Sequence, residues 1–151
     1  MKKWKFNGET MTTGDGKTLH RIVATEDFGS VKAGEVGGWI EKEENLLDSA
    51  WVSGSAVVSD SAVVSDSDDY ITFSGFGSCN RTTTVFKCQD GQLRVSCGCF
   101  LGTVEEFAKK VEETHGESLY GREYKAIIEV IKVHFEDYIK ENSEKSLQET
   151  K

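Results

Sequence analysis

The stretch that decides the fold reads Leu46-Leu47-Asp48-Ser49-Ala50-Trp51, Val52-Ser53-Gly54-Ser55-Ala56-Val57, Val58-Ser59-Asp60-Ser61-Ala62-Val63, Val64-Ser65-Asp66-Ser67. Written in sixes, it places an aliphatic residue at Leu46, Val52, Val58 and Val64, and an alanine at Ala50, Ala56 and Ala62. A period of six is too short for stacked helical repeats. On a strand, side chains alternate between faces, so the aliphatic residue and the alanine four places on share one face. The Ser-Asp-Ser or Ser-Gly-Ser piece supplies a bend after each short strand. A β-hairpin or meander alternating Val with Ser is the competing reading.

Three such strands make one coil of a triangular β-helix, and the pattern resembles the hexapeptide repeat of left-handed β-helix proteins. That family holds acyltransferases and many non-enzymatic members. Ile40 extends the register by one hexad toward the N-terminus. The resemblance covers little more than one coil. One coil cannot bury its own faces. It must be capped by residues 1–45, by the chain that follows, or by other subunits.

Outward from the repeat, residues 1–45 read as short strands and loops, with apolar runs at 19–24 and 36–40. Turn signals stand at Gly14-Asp15-Gly16, Phe28-Gly29-Ser30 and Gly37-Gly38. Asp66, Asp68 and Asp69 mark a polar boundary. Beyond it lie three strand candidates, at 70–73, 82–86 and 93–100, with a hairpin signal at Asp90-Gly91. These predict a three-stranded antiparallel meander. Thr103 and Glu106 form a capping box. The stripe Val104, Phe107, Ala108, Val111 follows, and Gly116 fits the C-cap. A second helix is expected from 118 or 120 to 138, with the stripe Tyr120, Tyr124, Ile127, Ile128, Ile131 and Phe135. Residues 141–151 have almost no apolar content and read as a frayed, disordered tail. The fold class is therefore α+β. A β-rich module spans 1–67, and a β-meander with a helical hairpin spans 68–140 as the ligand-binding domain.

At 151 residues the chain is one domain or two small modules. A net charge of −8 argues against a duplex nucleic-acid binder, which needs cations facing phosphate. It leaves room for a small anion in a local basic pocket. No run approaches the ~18 apolar residues of a membrane span. The first six residues carry positive charge without an apolar core, so no secretory leader is expected and the cytoplasm is the expected compartment. Cys79, Cys88, Cys97 and Cys99 lack Cys-x-x-Cys spacing, so reduced, buried or half-buried thiols are expected ahead of a metal site or disulfide.

No catalytic signature stands out among the three histidines, His20, His115 and His134. Gly-x-Ser-x-Gly, P-loop and His-Glu-x-x-His patterns are all missing. No enzyme activity, metal or cofactor is expected. A hexapeptide-type acyltransferase remains as the third reading, and the short repeat speaks against it. Two segments could hold an anion. In the glycine-rich loop at 75–81, backbone N–H groups can approach closely, Ser78 and Asn80 can hydrogen-bond, and Arg81 can fork onto a phosphate. At the helical hairpin, Phe107 and Tyr120 could stack on a base while Arg122 and Lys125 neutralise phosphate. The plainer readings are a solvated hairpin loop and core aromatics beneath a charged face. Trp4, Trp39 and Trp51 read as packing residues, and Arg94 as solvent-exposed.

The segment Gly37-Gly38-Trp39-Ile40-Glu41-Lys42-Glu43-Glu44-Asn45-Leu46 before the valine hexads looks like the start of many small phage and prophage proteins. Cys97-Gly98-Cys99-Phe100-x-Gly102-Thr103-x-Glu105-Glu106-Phe107, then Thr114-His115-Gly116, then Tyr120-x-x-Glu123-Tyr124, looks like their C-terminal domain. This domain is similar to phage-encoded Thoeris anti-defence sponge proteins. The resemblance implies a small sheet paired with two helices, assembly into dimers and hexamers, and sequestration of a cyclic ADP-ribose isomer or cyclic oligonucleotide without cleavage. It implies that Phe107 is the aromatic of the first helix. Glu117 stands where the family carries an amide, and His134 where it carries an arginine. Arg81 and Lys109 match the cyclic-oligonucleotide contacts. The resemblance thus implies a sponge for a host immune signal whose ligand differs from the standard one. The alternative is a structural, oligomerising phage protein that binds a protein partner.

Overall fold

A hexad stripe buries its aliphatic positions only where the chain returns to itself at a multiple of six. A computed structural model of the chain, describing residues 2–13, 16–76, 81–97 and 100–149, has that return. For Ser67, Phe76, Arg81 and residues 143–149 it describes the backbone alone. Parallel bridges join Trp39 to Val57, Ile40 to Val58 and Leu46 to Val64, each pair eighteen positions, or three hexads, apart. Successive passes are held by Trp39 N–H to Ala56 O at 2.8 Å, Leu47 N–H to Val64 O at 3.0 Å and Val64 N–H to Asn45 O at 2.8 Å. Ile40, Leu46, Val52, Val58 and Val64, with the three repeat alanines, are at most 4% exposed and share one core with Trp4 and Ile22.

Asn45 is fully buried between passes. Its Oδ1 accepts from Lys42 N–H at 2.9 Å. Its Nδ2 donates to the carbonyls of Asp60 at 3.2 Å and Ala62 at 2.9 Å. A buried amide is tolerable only when so satisfied.

The first sheet runs β1 (Trp4–Thr12), β2 (Thr18–Ala24), β3 (Val36–Ile40) and β4 (Val57–Val58). The first three are antiparallel, and β4 is parallel to β3. Gly37-Gly38, read as a turn, instead lies inside β3. A Cβ at Gly37 would stand 2.6 Å from Val52 O, and one at Gly38 2.7 Å from Ala56 O. Glycine is there because the next pass of backbone lies against the strand.

The second sheet is β5 (Tyr70–Phe76), β6 (Arg81–Lys87), β7 (Leu93–Cys97) and β8 (Phe100–Thr103), antiparallel in chain order. It has four strands, not the three expected. The run read as one strand over 93–100 doubles back, so that Cys97 pairs with Phe100. Thr103 ends β8 and caps α1 (Val104–His115), its side chain accepting from Glu106 N–H. Gly116 closes α1 at φ 52°, and α2 (Leu119–His134) follows.

The single helix expected to 138 is interrupted at Phe135, and α3 (Glu136–Glu149) continues beyond it. Phe135 is 2% exposed, and Tyr138 donates to Cys88 O at 3.1 Å. Seating both side chains turns the backbone at Phe135. The stretch read as a frayed tail from 141 is helical to Glu149, in keeping with its Glu, Lys, Gln and Leu content.

The faces of the second sheet set the layer order. Phe86 and Cys88, with Tyr70 and Leu101, pack on the hexad core. Val85, Leu93, Val95 and Cys97, with Ile71, Phe73 and Phe100, pack under the helices. The sheet also closes the hexad module. Val57 N–H donates to Thr84 Oγ1 at 3.0 Å, Gln89 N–H donates to Ser61 O at 3.0 Å, and Ala62 bridges Cys88. The hexad module is thus capped by the same chain. No helix among the described residues is long and apolar enough to cross a membrane.

Candidate ligand-binding site at the helical hairpin

The α1–α2 junction is built on a close approach. A Cβ on Gly121 would lie 2.1 Å from Gly116 O, so the hairpin closes only with glycine at 121. Around that point His115 stacks on Tyr124 with centroids 5.7 Å apart and meets the edge of Tyr120 at 5.9 Å. Lys125 Nζ reaches Glu112 at 2.8 Å and Glu117 at 3.0 Å. Hydrogen bonds to Glu112 and then to Glu117 raise the Lys125 pKa from its ordinary value. Beneath the junction Thr83 Oγ1 donates to Cys97 Sγ at 3.2 Å, and Cys97 Sγ lies 3.9 Å from Tyr124 OH. This polar thread forms a floor with no water contact at Thr83.

The six candidate residues whose side chains are described do not all converge. Ser78 and Asn80 lie outside the described residues. Arg81 opens β6, opposite Phe76, with only its backbone described. Phe107 is 3% exposed, with Phe100 at 5.5 Å and Tyr124 at 5.7 Å. Its ring is a core ring here and has no face open to a base. Lys109 and Arg122 are exposed on α1 and α2. Glu117 and Tyr120 sit together at the junction, Tyr120 39% exposed. His134 is fourteen residues further along α2, about 20 Å away at 1.5 Å per residue. It packs its ring edge to face on Phe135. The members that share one locus are Glu117 and Tyr120, joined by His115 and Lys125.

Arg94, read as solvent-exposed, corrects to a bridging residue. Its guanidinium reaches Asp90 at 2.6 Å and Asp60 at 3.4 Å, tying the β6–β7 turn to the hexad module. Burial alone would lower its pKa, but the hydrogen bond and charge of Asp90 outweigh that and raise it. The described cysteines, Cys88 and Cys97, are free and buried. Burial pushes the Cys88 thiol pKa up, which keeps it protonated and unreactive.

Sequence reading missed a cleft of about 990 Å³ on another side of the molecule. Gln89 to Leu93, the first turn of α1, Lys132, and the α3 residues Glu136, Tyr138 and Asn142 line it. None of the described candidate residues does. No group of three or more His, Cys, Asp and Glu among the described residues is placed to hold a metal ion. Comparison with protein-family models, with curated proteins and with solved structures finds no match.

Proposed function

We propose that the protein is a phage-type binding protein that sequesters a small anionic nucleotide signal of host immunity, a cyclic ADP-ribose isomer or a cyclic oligonucleotide, without cleaving it. The observation that carries this reading is the exposed cation–aromatic cluster at the helical hairpin. The Lys125 ammonium there faces two carboxylates, Glu112 and Glu117, and the Glu117 side chain is 84% exposed. A phosphate can take the place of the Glu117 carboxylate on Lys125 while Tyr120 offers a ring to the base. The pairing of a small sheet with two helices agrees with what the resemblance of the 97–124 segment implies. On the same reading, the eighteen-residue return of the hexads is a turn of left-handed β-helix, and the protein acts in the host cytoplasm.

A depletion assay tests it. The protein is mixed with cyclic di- and trinucleotides and cyclic ADP-ribose isomers, the mixture is filtered, and the filtrate and the heat-released ligand are run by HPLC. Selective loss with intact recovery is the expected result. Glu117→Gln should tighten binding, because it removes the competing carboxylate. Lys125→Ala should weaken it. A new product peak means an enzyme, and no depletion across the panel overturns the reading.

The second reading is a structural protein that assembles with itself or with a protein partner. A specific feature favours it: α2 is apolar on the side turned away from its own core.

A further inference from the structure

Asn7-Gly8 is the one Asn-Gly pair in the chain. It lies in β1, the outer strand of the first sheet. The pairing of β1 with β2 slips between Phe6 and Thr10, so residues 7–9 have no partner in register. Gly8 turns through this bulge at φ 99°, and a Cβ built on it would meet nothing within 4 Å. Asn7 is half-buried, while Gly8 and Glu9 are exposed. The Asn7 side chain has a fixed place, because its Oδ1 accepts from Glu9 N–H at 2.8 Å. That bond folds the side-chain amide back over the Gly8 peptide, as in an Asx turn. Asn45 is the contrast. It is fully buried, it precedes Leu46, and its amide is held by three hydrogen bonds.

We propose that Asn7-Gly8 is a self-modifying site, at which the folded chain converts Asn7 to aspartate and isoaspartate without an enzyme. The Gly8 backbone nitrogen gives its proton to solvent base and attacks Asn7 Cγ. The new N–C bond closes a succinimide ring, and the side-chain nitrogen leaves as ammonia with a proton from water. A second water then opens the ring at either carbonyl. One opening leaves aspartate. The other leaves isoaspartate, with the backbone routed through the former side chain. Nothing is oxidised or reduced. Glycine favours the attack because it has no Cβ to shield the nitrogen. The Glu9 N–H points at Oδ1, where negative charge gathers as the nitrogen adds, so it serves as an oxyanion donor. The bulge gives the backbone room to rearrange, because no pairing in register has to break at 7–9. Either product adds a carboxylate beside Glu9, whose own carboxylate reaches Arg21 at 3.7 Å. Isoaspartate also lengthens the backbone of β1. The inference does not rest on the nucleotide reading.

Intact mass and peptide mapping test it on the whole folded chain, aged at neutral and mildly alkaline pH. The expected result is a slow gain of the amide-to-acid mass difference, confined to the peptide that holds Asn7. That peptide should split into aspartate and isoaspartate forms, the second labelled by an isoaspartyl methyltransferase. The rate should rise with pH, because the attacking nitrogen must lose its proton. Asn7→Gln should lose the mass gain, because its longer side chain has to close a larger ring. The folded chain should convert at least as fast as the same chain unfolded in guanidinium, which keeps the glycine and loses the fixed Glu9 N–H contact. An Asn7 that stays intact in the folded chain, faster conversion in guanidinium, or the same mass gain in Asn7→Gln each overturns the proposal.

Discussion

Gly121 shows how one atom decides a connection. Alanine in a helix ordinarily improves on glycine by about 1 kcal/mol. Here the added Cβ would meet Gly116 O at 2.1 Å, and that oxygen belongs to backbone that cannot rotate away. Gly121→Ala should therefore destabilise, by about 1–3 kcal/mol as for other overpacked sites. A lowered urea midpoint at unchanged slope would report this, and a raised midpoint would contradict the geometry. Asp69 supplies a pH-dependent counterpart. Burial alone would raise its pKa. Hydrogen bonds from Ser65 N–H at 2.8 Å, Ser65 Oγ at 2.7 Å and Asp66 N–H at 3.3 Å, with Lys87 at 3.5 Å, outweigh burial and set it below the ordinary 3.8. A depressed folded pKa contributes stability that is present above the unfolded value and lost as pH falls through the folded one. Asp69→Asn should lose that contribution above pH 3.8 and show a flatter acid limb below it. Urea titrations at stepped pH would check both arms, and parallel acid limbs would remove Asp69 from the account.

Among the elements, the buried stripe of the hexads was the most legible in the sequence, because its periodicity and its burial have one cause, although Val57–Val58 is the one described strand within 46–67. Every sixth aliphatic residue from Ile40 to Val64 is in the core. Val58 has no exposure, whereas Val63 is half-buried beside the stripe. Val58→Ala should cost about 1.5–3 kcal/mol, the scale of a fully buried valine, and Val63→Ala clearly less. Equal thermal shifts for the two would deny the six-residue register. Helix α1 was equally legible, since the Thr103–Glu106 box and Gly116 are local signals. What escaped was set by contacts far apart in sequence. The doubling of β7 into β8 depends on Cys97 facing Phe100. The turn at Phe135 depends on Tyr138 reaching Cys88, fifty residues away. The two glycines of β3 read as a turn because nothing nearby shows the backbone of Val52 and Ala56 lying against them. The candidate site suffered most. Phe107 occupies a helical core position, and its aromatic character looked like a binding surface. The Glu112–Lys125–Glu117 clamp joins residues brought near only by closure of the hairpin.

At the scale of the whole molecule, β6 and the residue that follows it belong to two cores. Phe86 and Cys88 face the hexads, and Val85 faces the helices. Thr84 joins the arrangement by accepting from Val57 N–H, and Arg94 ties Asp90 to Asp60 across the same seam. The hexad module is closed by that seam. The helices likewise need the sheet against which their apolar faces lie. The two halves should therefore unfold together. They carry separate reporters: Trp4, Trp39 and Trp51 all precede the second sheet, and α1, α2 and α3 all follow it. Tryptophan fluorescence and helical circular dichroism should give coincident transitions in urea, as a two-state system requires. Phe86→Ala strikes the seam from the hexad side and should cost about 3–5 kcal/mol. Its effect should appear equally in both signals, although the phenylalanine touches no helix core residue. If fluorescence shifts while the dichroism midpoint stays where it was, the two halves are independent modules joined at Asp66 to Tyr70, and the shared strand is a contact that neither half requires.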